Sequence, residues 1–263
     1  MTIHYRSKTE IEGIRRAGQV VMEILEVLRA ATRPGVTTGE LDALAVRELA
    51  RRGATSNFKG YSPARGTPPF AGVICASVNE QVVHGIPGKR ALKDGDIIAL
   101  DFGAVVDGWH GDSAITVPVG HISPEAERLL RVTQEALWKG IGAAKPGARV
   151  YDITRAVQSY VEGQGFALVE HYGGHGIGRE LHEDPFIPNA MEQGIPNPPL
   201  RPGMVVCIEP MVSIGSPRTR TLSDKWTVST ADNSLSAHFE HTVAITSGEP
   251  LVLTSLASAS VGG

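Results

Sequence analysis

The chain has 263 residues, 41% of them hydrophobic and 20% charged, a composition that supports a full hydrophobic core and excludes extensive disorder. Its net charge of −3 excludes the strongly basic class of nucleic-acid binders, and its two cysteines exclude a disulfide-rich secreted scaffold. Because no apolar run reaches the ~18 residues that span a bilayer, and the amino end has no secretory signal pattern, we expect a cytoplasmic protein with neither membrane nor DNA partners.

Two pairs of helices are predicted, and they repeat along the chain. Apolar residues recur at helical spacing over 14–30 and again over 126–142. Each of these helices is followed by a Pro-Gly turn and a second amphipathic helix, at a constant offset of 112 positions between Gly53 and Gly165. These two glycines fit the C-terminal ends of the second helices, because glycine readily adopts the left-handed conformation that ends a helix.

Strands that carry a carboxylate also occur in pairs. Residues 92–101 and 200–209 each read as a turn followed by an apolar strand that ends in an acid. In a third pair of segments, an acid opens an apolar run. The four acids are Asp101, Glu209, Asp112 and Glu240.

Three similar pairs in the same order indicate two related α+β halves, over about residues 10–120 and 125–250. No Pro/Gly/Ser-rich linker separates them, so a single domain over 1–263 is expected. Its strands are expected to form one curved sheet with the four acids at its centre. A Pro/Asn-rich surface loop is predicted over 185–202 and a frayed terminus over 257–263.

The Asp107-Gly108 pair predicts a two-residue hairpin turn that brings two of the acids together. With that turn Asp101 faces Ala114, and Asp112 lies on the same face of the sheet as a diagonal neighbour of Asp101. Two carboxylates that are close inside an apolar hairpin repel each other and lose solvation, and a bound cation relieves both effects. A β-bulge would change the side-chain alternation and separate them.

His175 is the expected nitrogen ligand of such a site. It lies among four glycines within residues 172–178, and glycines let the backbone approach a site closely. The alternative is a flexible loop with a polar side chain, which four nearby carboxylates make less favoured. Carboxylates with an imidazole suit Mn²⁺, Fe²⁺, Co²⁺ or Zn²⁺. Because four negative charges exceed what one divalent ion needs, two divalent metal ions are expected.

Two further histidines are candidates for an acid or polarising role. His84 lies at a predicted strand end before a turn, and His182 follows the glycine-rich segment. A hydrogen bond within a loop explains either residue about as well. The remaining histidines, His238 among them, are expected to be structural or surface residues. Cys207 is expected to be a buried structural thiol, since it lies within an apolar strand.

Seven short blocks of the sequence together resemble the motifs of one known family. They are NEQVVHGIP (79–87), DFG (101–103), HGDS (110–113), GHGIG (174–178), HEDP (182–185), IEP (208–210) and FEHT (239–242). In this order, between about residues 5 and 255, they resemble the methionine aminopeptidase family. The resemblance implies an α/β (α+β) pita-bread fold, with pseudo-two-fold helix-helix-strand halves around a curved central sheet. It also implies removal of the initiator methionine from nascent proteins and peptides with a small second residue.

The resemblance implies a role for each candidate residue. Asp112 and Glu240 would bridge two divalent metals, Asp101 would complete one metal site, and His175 and Glu209 would complete the other. Glu209 would also carry the proton of the water molecule that attacks the scissile carbonyl.

The substrate would be held by residues around the metals. His182 would stabilise the developing oxyanion, and His84 would contact the peptide nitrogen. The residues that match the family's methionine pocket are Phe70, Cys75 and Trp226. Thr67 and Leu181 stand where many relatives carry an aromatic residue and Phe, respectively, so the rim of the pocket is expected to be wider or less aromatic.

The subtype and a monovalent ion also follow from the resemblance. His175 and Glu209 are only 34 positions apart, which leaves no room for the long insertion of type II enzymes and, with no N-terminal zinc-binding extension, indicates the short bacterial type I. A monovalent cation, Na⁺ or K⁺, is implied at Asn79, Gln81 and Ser236.

Two alternatives remain open. A related pita-bread enzyme, a prolidase or aminopeptidase P, would cleave X–Pro bonds with the same five ligands, although such enzymes usually carry an additional N-terminal domain. A non-catalytic peptide-binding relative would typically lack ligands, all of which are present here. A monomer is expected, with nascent N-termini as its peptide substrate. A weak, transient ribosome contact is expected through basic residues such as Arg15-Arg16, Arg29, Arg33 or Arg51-Arg52.

Overall fold

The computed structural model describes residues 1–63 and 66–256. In these ranges the helices are Lys8–Ala31 (α1), Thr38–Arg51 (α2), Pro124–Ala143 (α3) and Val150–Gly163 (α4). The strands of the first half are Thr55–Ser56 (β1), Ile74–Val78 (β2), Gln81–Val83 (β3), Ile97–Val106 (β4) and Trp109–Pro118 (β5). Those that follow α4 are Ala167–Leu168 (β6), Gly173–Gly176 (β7), Glu183–Pro188 (β8), Val205–Ile208 (β9), Met211–Ser213 (β10), Thr219–Thr221 (β11), Val228–Thr230 (β12), Ser236–His238 (β13), Glu240–Ala244 (β14) and Leu251–Val252 (β15).

Two sequence-based expectations concern the carboxyl terminus and membrane-spanning segments. The frayed terminus predicted over 257–263 lies outside the described residues. Across the two described ranges, no helix combines the length and the apolar character that crossing a membrane requires.

The helices repeat as the sequence predicts. Helices α2 and α4 begin and end 112 positions apart, and α1 and α3 also end 112 positions apart. Gly53 and Gly165 follow the ends of α2 and α4 with φ angles of 62° and 77°. The turns before these helices match as well, since Gly35 and Gly147 have φ angles of 89° and 88°. All four glycines adopt the left-handed conformation, so the repeat extends to individual turns.

The central sheet has nine strands among the described residues. Its order is β1-β4-β5-β14-β9-β7-β8, with β2 paired to β4 and β15 paired to β14. One hydrophobic cluster packs α1 and α2 against β2 and β4. A corresponding cluster packs α3 and α4 against β9 and β14. Strands from both halves therefore meet where β5 pairs with β14.

Two three-stranded sheets flank the central one. Their orders are β13-β10-β6 and β11-β12-β3. The first brings β13 beside β10, with His238 opposite Met211. The second brings Val228, which follows Trp226 closely, opposite Val83, the residue before His84. The two small sheets thus position residues that lie outside the central sheet, among them His238, Trp226 and His84.

The surface loop predicted over 185–202 is wrong at its beginning. Residues up to Pro188 belong to β8, which is the last strand in the order of the central sheet. An edge strand tolerates proline because one side of the strand has no partner that needs the missing N–H donor. After Pro188 the segment has no helix or extended strand and makes one isolated bridge, between Arg149 and Pro199.

Candidate metal centre and substrate pocket

The hairpin β4–β5 places two acids on one face of the sheet. Asp107 and Gly108 form its turn with φ angles of 51° and 74°, as a two-residue turn with both central residues at positive φ requires. The pairing runs through the whole hairpin without a shift, so Asp101 opposes Ala114. Asp112 is two residues further along and shares that face. The predicted diagonal relationship between Asp101 and Asp112 is confirmed.

Strand β14 brings acids from the second half to the same place. Glu240 opposes Ala114 from the side away from β4, so it lies in one row with Asp101. His241 opposes Ile208. The same register puts Glu209, one residue past the end of β9, beside Glu240. Three of the four acids therefore form a single row across four strands, and Asp112 lies one step along the same face.

Glycines allow His175 to reach this face. A Cβ added at Gly174 would lie 2.0 Å from the Cys207 carbonyl oxygen, and one added at Gly176 would lie 2.3 Å from that of Asp184. Strand β7 therefore fits between β8 and β9 only because these positions lack side chains. This close approach is what the glycine-rich sequence predicts for the segment.

The His175 ring is held with one nitrogen directed at the acids. Its Nδ1 lies 2.9 Å from the carbonyl oxygen of Gly176, an arrangement in which Nδ1–H donates. Its Nε2 then carries the free lone pair, and it lies 3.7 Å from Glu209 Oε1 and 4.0 Å from Asp112 Oδ2. Burial lowers the pKa of His175 to about 3, so the ring is neutral. A neutral imidazole oriented by a backbone carbonyl is the usual form of a metal-binding histidine.

The four acids are close together and buried, an arrangement that favours a bound cation. Burial raises the pKa of Asp101 to about 6. It raises the pKa of Asp112, Glu209 and Glu240 well above the ordinary range, and the repulsion between the carboxylates adds to this effect. Several of their buried oxygens have no hydrogen-bond partner among the described residues, namely Asp101 Oδ1, Asp112 Oδ1 and Glu240 Oε1. Hard, unpartnered oxygens beside an imidazole nitrogen suit a divalent metal ion.

The potential ligand atoms form two sets that share one residue. In each set the atoms lie within 4.8 Å of one another. The first set is Asp112, His175, Cys207 and Glu240, and the second is Glu209, His238 and Glu240. Cys207 Sγ lies 3.6 Å from Thr242 Oγ1, and burial raises the pKa of this thiol further above neutrality. Cys207 is a buried thiol in no disulfide and lies beside the site, as the sequence predicts.

A cavity of about 330 Å³ opens directly above the acids. Its walls are aromatic and apolar, and its floor is polar. All five predicted metal ligands and all the predicted pocket residues line it, together with Phe58, Tyr61, Pro63 and Leu181. The Phe70 and Trp226 rings meet edge to face at 5.1 Å, and the Trp226 indole N–H donates to the Pro68 carbonyl oxygen. Thr67 lies in the same loop as Pro68.

The two predicted polar histidines stand at the mouth of this cavity. His182 Nδ1 lies 2.7 Å from the Tyr61 hydroxyl, and its ring lies 4.3 Å from that of His175. His84 has a φ angle of 58° and packs edge-on against Trp226 at 5.9 Å. Burial lowers the pKa of both His84 and His182 to about 4, so both rings are neutral at neutral pH.

Two residues with polar side chains at the site, Tyr61 and His238, were not predicted for it. Tyr61 lies in an irregular loop, where no periodic pattern marks its direction. His238 is buried, and its Nε2 lies 3.5 Å from Glu209 Oε2. The signal available in the sequence was its position two residues before Glu240, since residues two apart in an extended segment point to the same side.

Residues of the implied monovalent-cation site are also neighbours. The Ser236 N–H donates to the Asn79 carbonyl oxygen at 2.9 Å. Gln81 Oε1 accepts from the Val78 N–H at 2.9 Å. Binding of Na⁺ or K⁺ there stays a prediction.

Comparisons with known proteins agree with this geometry. A family model described as metallopeptidase family M24 matches residues 12–247. A methionine aminopeptidase of Aquifex aeolicus is 48% identical over 258 residues, which are 97% of this chain and 100% of the relative. The crystal structure of methionine aminopeptidase from Thermotoga maritima has a TM-score of 0.91 and 41% identity, and the match covers 97% of this chain and 100% of that one.

A more distant solved structure shares the fold alone. The Xaa-Pro dipeptidase from Bacillus anthracis has a TM-score of 0.75 and 23% identity, and the match covers 95% of this chain but 62% of that one. Together these likenesses confirm the predicted pita-bread fold and a metal-dependent hydrolase. The chain belongs to metallopeptidase family M24 and, within it, to the methionine aminopeptidases.

Proposed function

We propose that this protein removes the N-terminal methionine from peptides and nascent proteins whose second residue is small. The observation that carries this proposal is that one cavity is lined both by the five candidate ligands and by the apolar wall of Phe70, Cys75 and Trp226. A compact apolar pocket beside the acids selects a side chain of limited size at the residue to be removed. It therefore links the choice of the first residue to the place of bond cleavage.

We propose two divalent metal ions at the acids, with Asp112 and Glu240 shared between them. Glu240 belongs to both sets of potential ligand atoms, which supports a bridging role for Glu240, whereas Asp112 belongs to one set and Asp101 to neither. When bound, such ions would anchor the free amine of the substrate, polarise the scissile carbonyl and lower the pKa of a water molecule. Mn²⁺, Fe²⁺, Co²⁺ and Zn²⁺ all suit this donor set, and elemental analysis of protein purified without added metal would identify the ion.

Protons are moved and held by side chains of the cavity. We assign Glu209 as the proton carrier, because its carboxylate lies beside His175 and faces the cavity. We assign His182 the tautomer in which Nδ1 accepts from the Tyr61 hydroxyl 2.7 Å away, so that Nε2–H can donate toward a developing oxyanion. The lowered pKa of His182 leaves the ring neutral, and a neutral imidazole keeps one N–H that can donate a hydrogen bond to developing negative charge. His84, on the opposite wall with Trp226, is assigned to the peptide nitrogen.

A second, larger cavity of about 780 Å³ shares His84, His175, His182 and Glu209 with the first. Thr2, His4 and Arg6 of the amino end line it, as does Tyr172. We propose that the substrate continues through this cavity after its first residue. Its polar lining would contact peptide backbone, which suits a substrate defined mainly by its first two residues.

Several broader features belong to the same proposal. We propose a cytoplasmic type I enzyme that is a monomeric single domain over 1–263, which size-exclusion chromatography with light scattering would test. The proposed weak ribosome contact is limited by ion pairs at the predicted basic residues. Arg15 pairs with Glu12, Arg29 with Glu26, and Arg52 with Glu23 and Glu48. Cosedimentation with ribosomes at low and physiological salt would measure the contact.

The activity is tested by release of free methionine from Met-Ala-Ser. Protein stripped of metal should be inactive, and added Mn²⁺ or Co²⁺ should restore cleavage. Gly-Pro and Ala-Pro-Ala serve as parallel substrates. Cleavage of the proline substrates in place of Met-Ala-Ser would show an X–Pro peptidase, and binding without cleavage of any of them would show a non-catalytic relative.

A further inference from the structure

His238 is a buried histidine whose ring faces the acids. Its backbone is fixed by Thr116 on β5, since the His238 N–H donates to Thr116 Oγ1 at 2.9 Å and its carbonyl accepts from the same hydroxyl at 2.7 Å. The residue is 1% exposed, and neither ring nitrogen has a hydrogen-bond partner among the described residues. A buried, unpaired N–H group is costly, so a partner for this ring is expected.

Glu209 is placed to be that partner. Its two oxygens face two imidazoles, with Oε1 3.7 Å from His175 Nε2 and Oε2 3.5 Å from His238 Nε2. Glu209 lies past the end of β9, and Pro210 follows it, so the regular strand does not fix its side chain. A small rotation of the carboxylate would close the 3.5 Å gap to a hydrogen bond.

We propose that His238 is a positioning residue for Glu209. Its Nε2–H donates to Oε2, which directs Oε1 toward the His175 nitrogen and the metal position that these two residues share. This inference rests on the proposed metal centre, and it adds a sixth side chain to it. Outer groups that orient ligands in this way commonly change metal affinity or activity about 10- to 100-fold when they are removed.

The geometry favours this role over direct metal binding by His238. A metal-binding histidine almost always donates its other N–H to an acceptor, as His175 does to the Gly176 carbonyl oxygen. His238 Nδ1 has no such acceptor among the described residues. The proximity of His238 to Glu209 and Glu240 is therefore assigned to hydrogen bonding rather than to ligation.

Two amide variants of the full chain test whether a hydrogen-bond donor at the position of His238 Nε2 is required. Both carry the same amide group, but only one is long enough to reach Glu209. In His238→Gln, the amide nitrogen can occupy the place of Nε2. In His238→Asn, the same amide is too short to reach Glu209. Calorimetric titration of the metal-free proteins with Mn²⁺ alone should show affinity about 10- to 100-fold weaker for His238→Asn and within about 3-fold of wild type for His238→Gln. With Met-Ala-Ser, His238→Asn should lower kcat more than it changes KM.

The other outcomes overturn either the positioning role of His238 or the metal centre on which it depends. Wild-type affinity and kcat in His238→Asn would overturn the positioning role while leaving the proposed function intact. If wild type itself binds no Mn²⁺, the metal centre falls, and this inference falls with it. Pulsed electron paramagnetic resonance of wild-type protein with Mn²⁺ needs no variant to fold. Coupling to one histidine nitrogen supports the assignment, and coupling to two would show that His238 is a ligand.

Discussion

Asp101 and Glu240 oppose the same residue, Ala114, from the two sides of β5. Asp101 belongs to the first half of the repeat and Glu240 to the second. The candidate metal centre therefore lies where the two halves are joined, and the repulsion among its acids acts across that join. A bound cation would hold the halves together as well as serve the chemistry.

Removal of metal should accordingly lower stability. A ligand that binds only the folded state at 100 times its dissociation constant adds about 2.7 kcal/mol to the free energy of unfolding. We expect the Tm of the chelated protein to fall and to recover when Mn²⁺ is added back. Differential scanning calorimetry measures both. Added Mg²⁺, which favours a shell of oxygen ligands and water, is the control and should restore less.

Asp112→Asn should lower methionine release by orders of magnitude and leave the fold intact. The amide keeps the shape of the carboxylate but removes a negative charge that two ions would share. Activity on Met-Ala-Ser under saturating Mn²⁺ measures the loss, and circular dichroism checks the fold. Asp94→Asn, an exposed position outside the cavity, is the matched control and should keep wild-type activity. Near-normal turnover in Asp112→Asn would contradict a shared two-metal role.

Gly174→Ala should weaken metal binding through the backbone. The added methyl group would overlap the Cys207 carbonyl oxygen, so β7 must move away from β9 and carry His175 with it. We expect a lower Tm and weaker Mn²⁺ binding in calorimetric titration. Gly163→Ala is the control, because an added Cβ there meets open space at the end of α4. Unchanged Mn²⁺ affinity in a folded Gly174→Ala protein would show that His175 does not depend on this close approach.

Phe70→Ala should impair recognition of methionine without loss of metal. The Phe70 side chain is 3% exposed and packs edge to face against Trp226 in the apolar wall of the pocket. Loss of its apolar contact is worth about 1.5–3 kcal/mol, which corresponds to about a 10- to 160-fold fall in kcat/KM for Met-Ala-Ser. Trp138→Ala removes an aromatic ring that is 51% exposed on α3, and it should change neither kcat/KM nor the metal content. A Phe70→Ala protein that loses its metal would contradict the separation of pocket and metal centre.

Local sequence rules predicted much of the candidate site. The Asp107-Gly108 turn fixes the register of the hairpin, and strand alternation then places Asp101 and Asp112 together. The repeat likewise predicts the helices and the strands that carry Glu209 and Glu240. These inferences succeed because each depends on a short stretch of chain with a defined turn.

Tyr61 and His238 were missed because they reach the site through long-range packing. Tyr61 comes from an irregular loop, and its hydroxyl meets His182, which lies 121 positions away. His238 belongs to a small sheet whose pairing with β10 no local pattern announces. The mistaken loop over 185–202 has a similar origin, since the tolerance of β8 for proline follows from its place at the sheet edge.

Arg6→Ala should destabilise the fold more than the same substitution at an exposed arginine. The Arg6 and Glu183 side chains are 9% and 7% exposed, and the guanidinium contacts both carboxylate oxygens at 2.5 and 2.7 Å. Removal of one partner leaves a buried charge, which typically costs about 3–5 kcal/mol. Urea unfolding would measure this loss.

The control for this ion pair is Arg15→Ala. Arg15 also pairs with an acid, Glu12, but both side chains are well exposed, and such pairs contribute at most about 1 kcal/mol. The double variant Arg6→Met with Glu183→Gln removes both charges and should recover much of the stability lost in Arg6→Ala. Equal, small losses in Arg6→Ala and Arg15→Ala would show that the buried pair does not anchor the amino end to β8. In that case other contacts, such as the hydrogen bond from the Thr2 N–H to the Asp184 carboxylate, would hold the wall of the larger cavity formed by Thr2, His4 and Arg6.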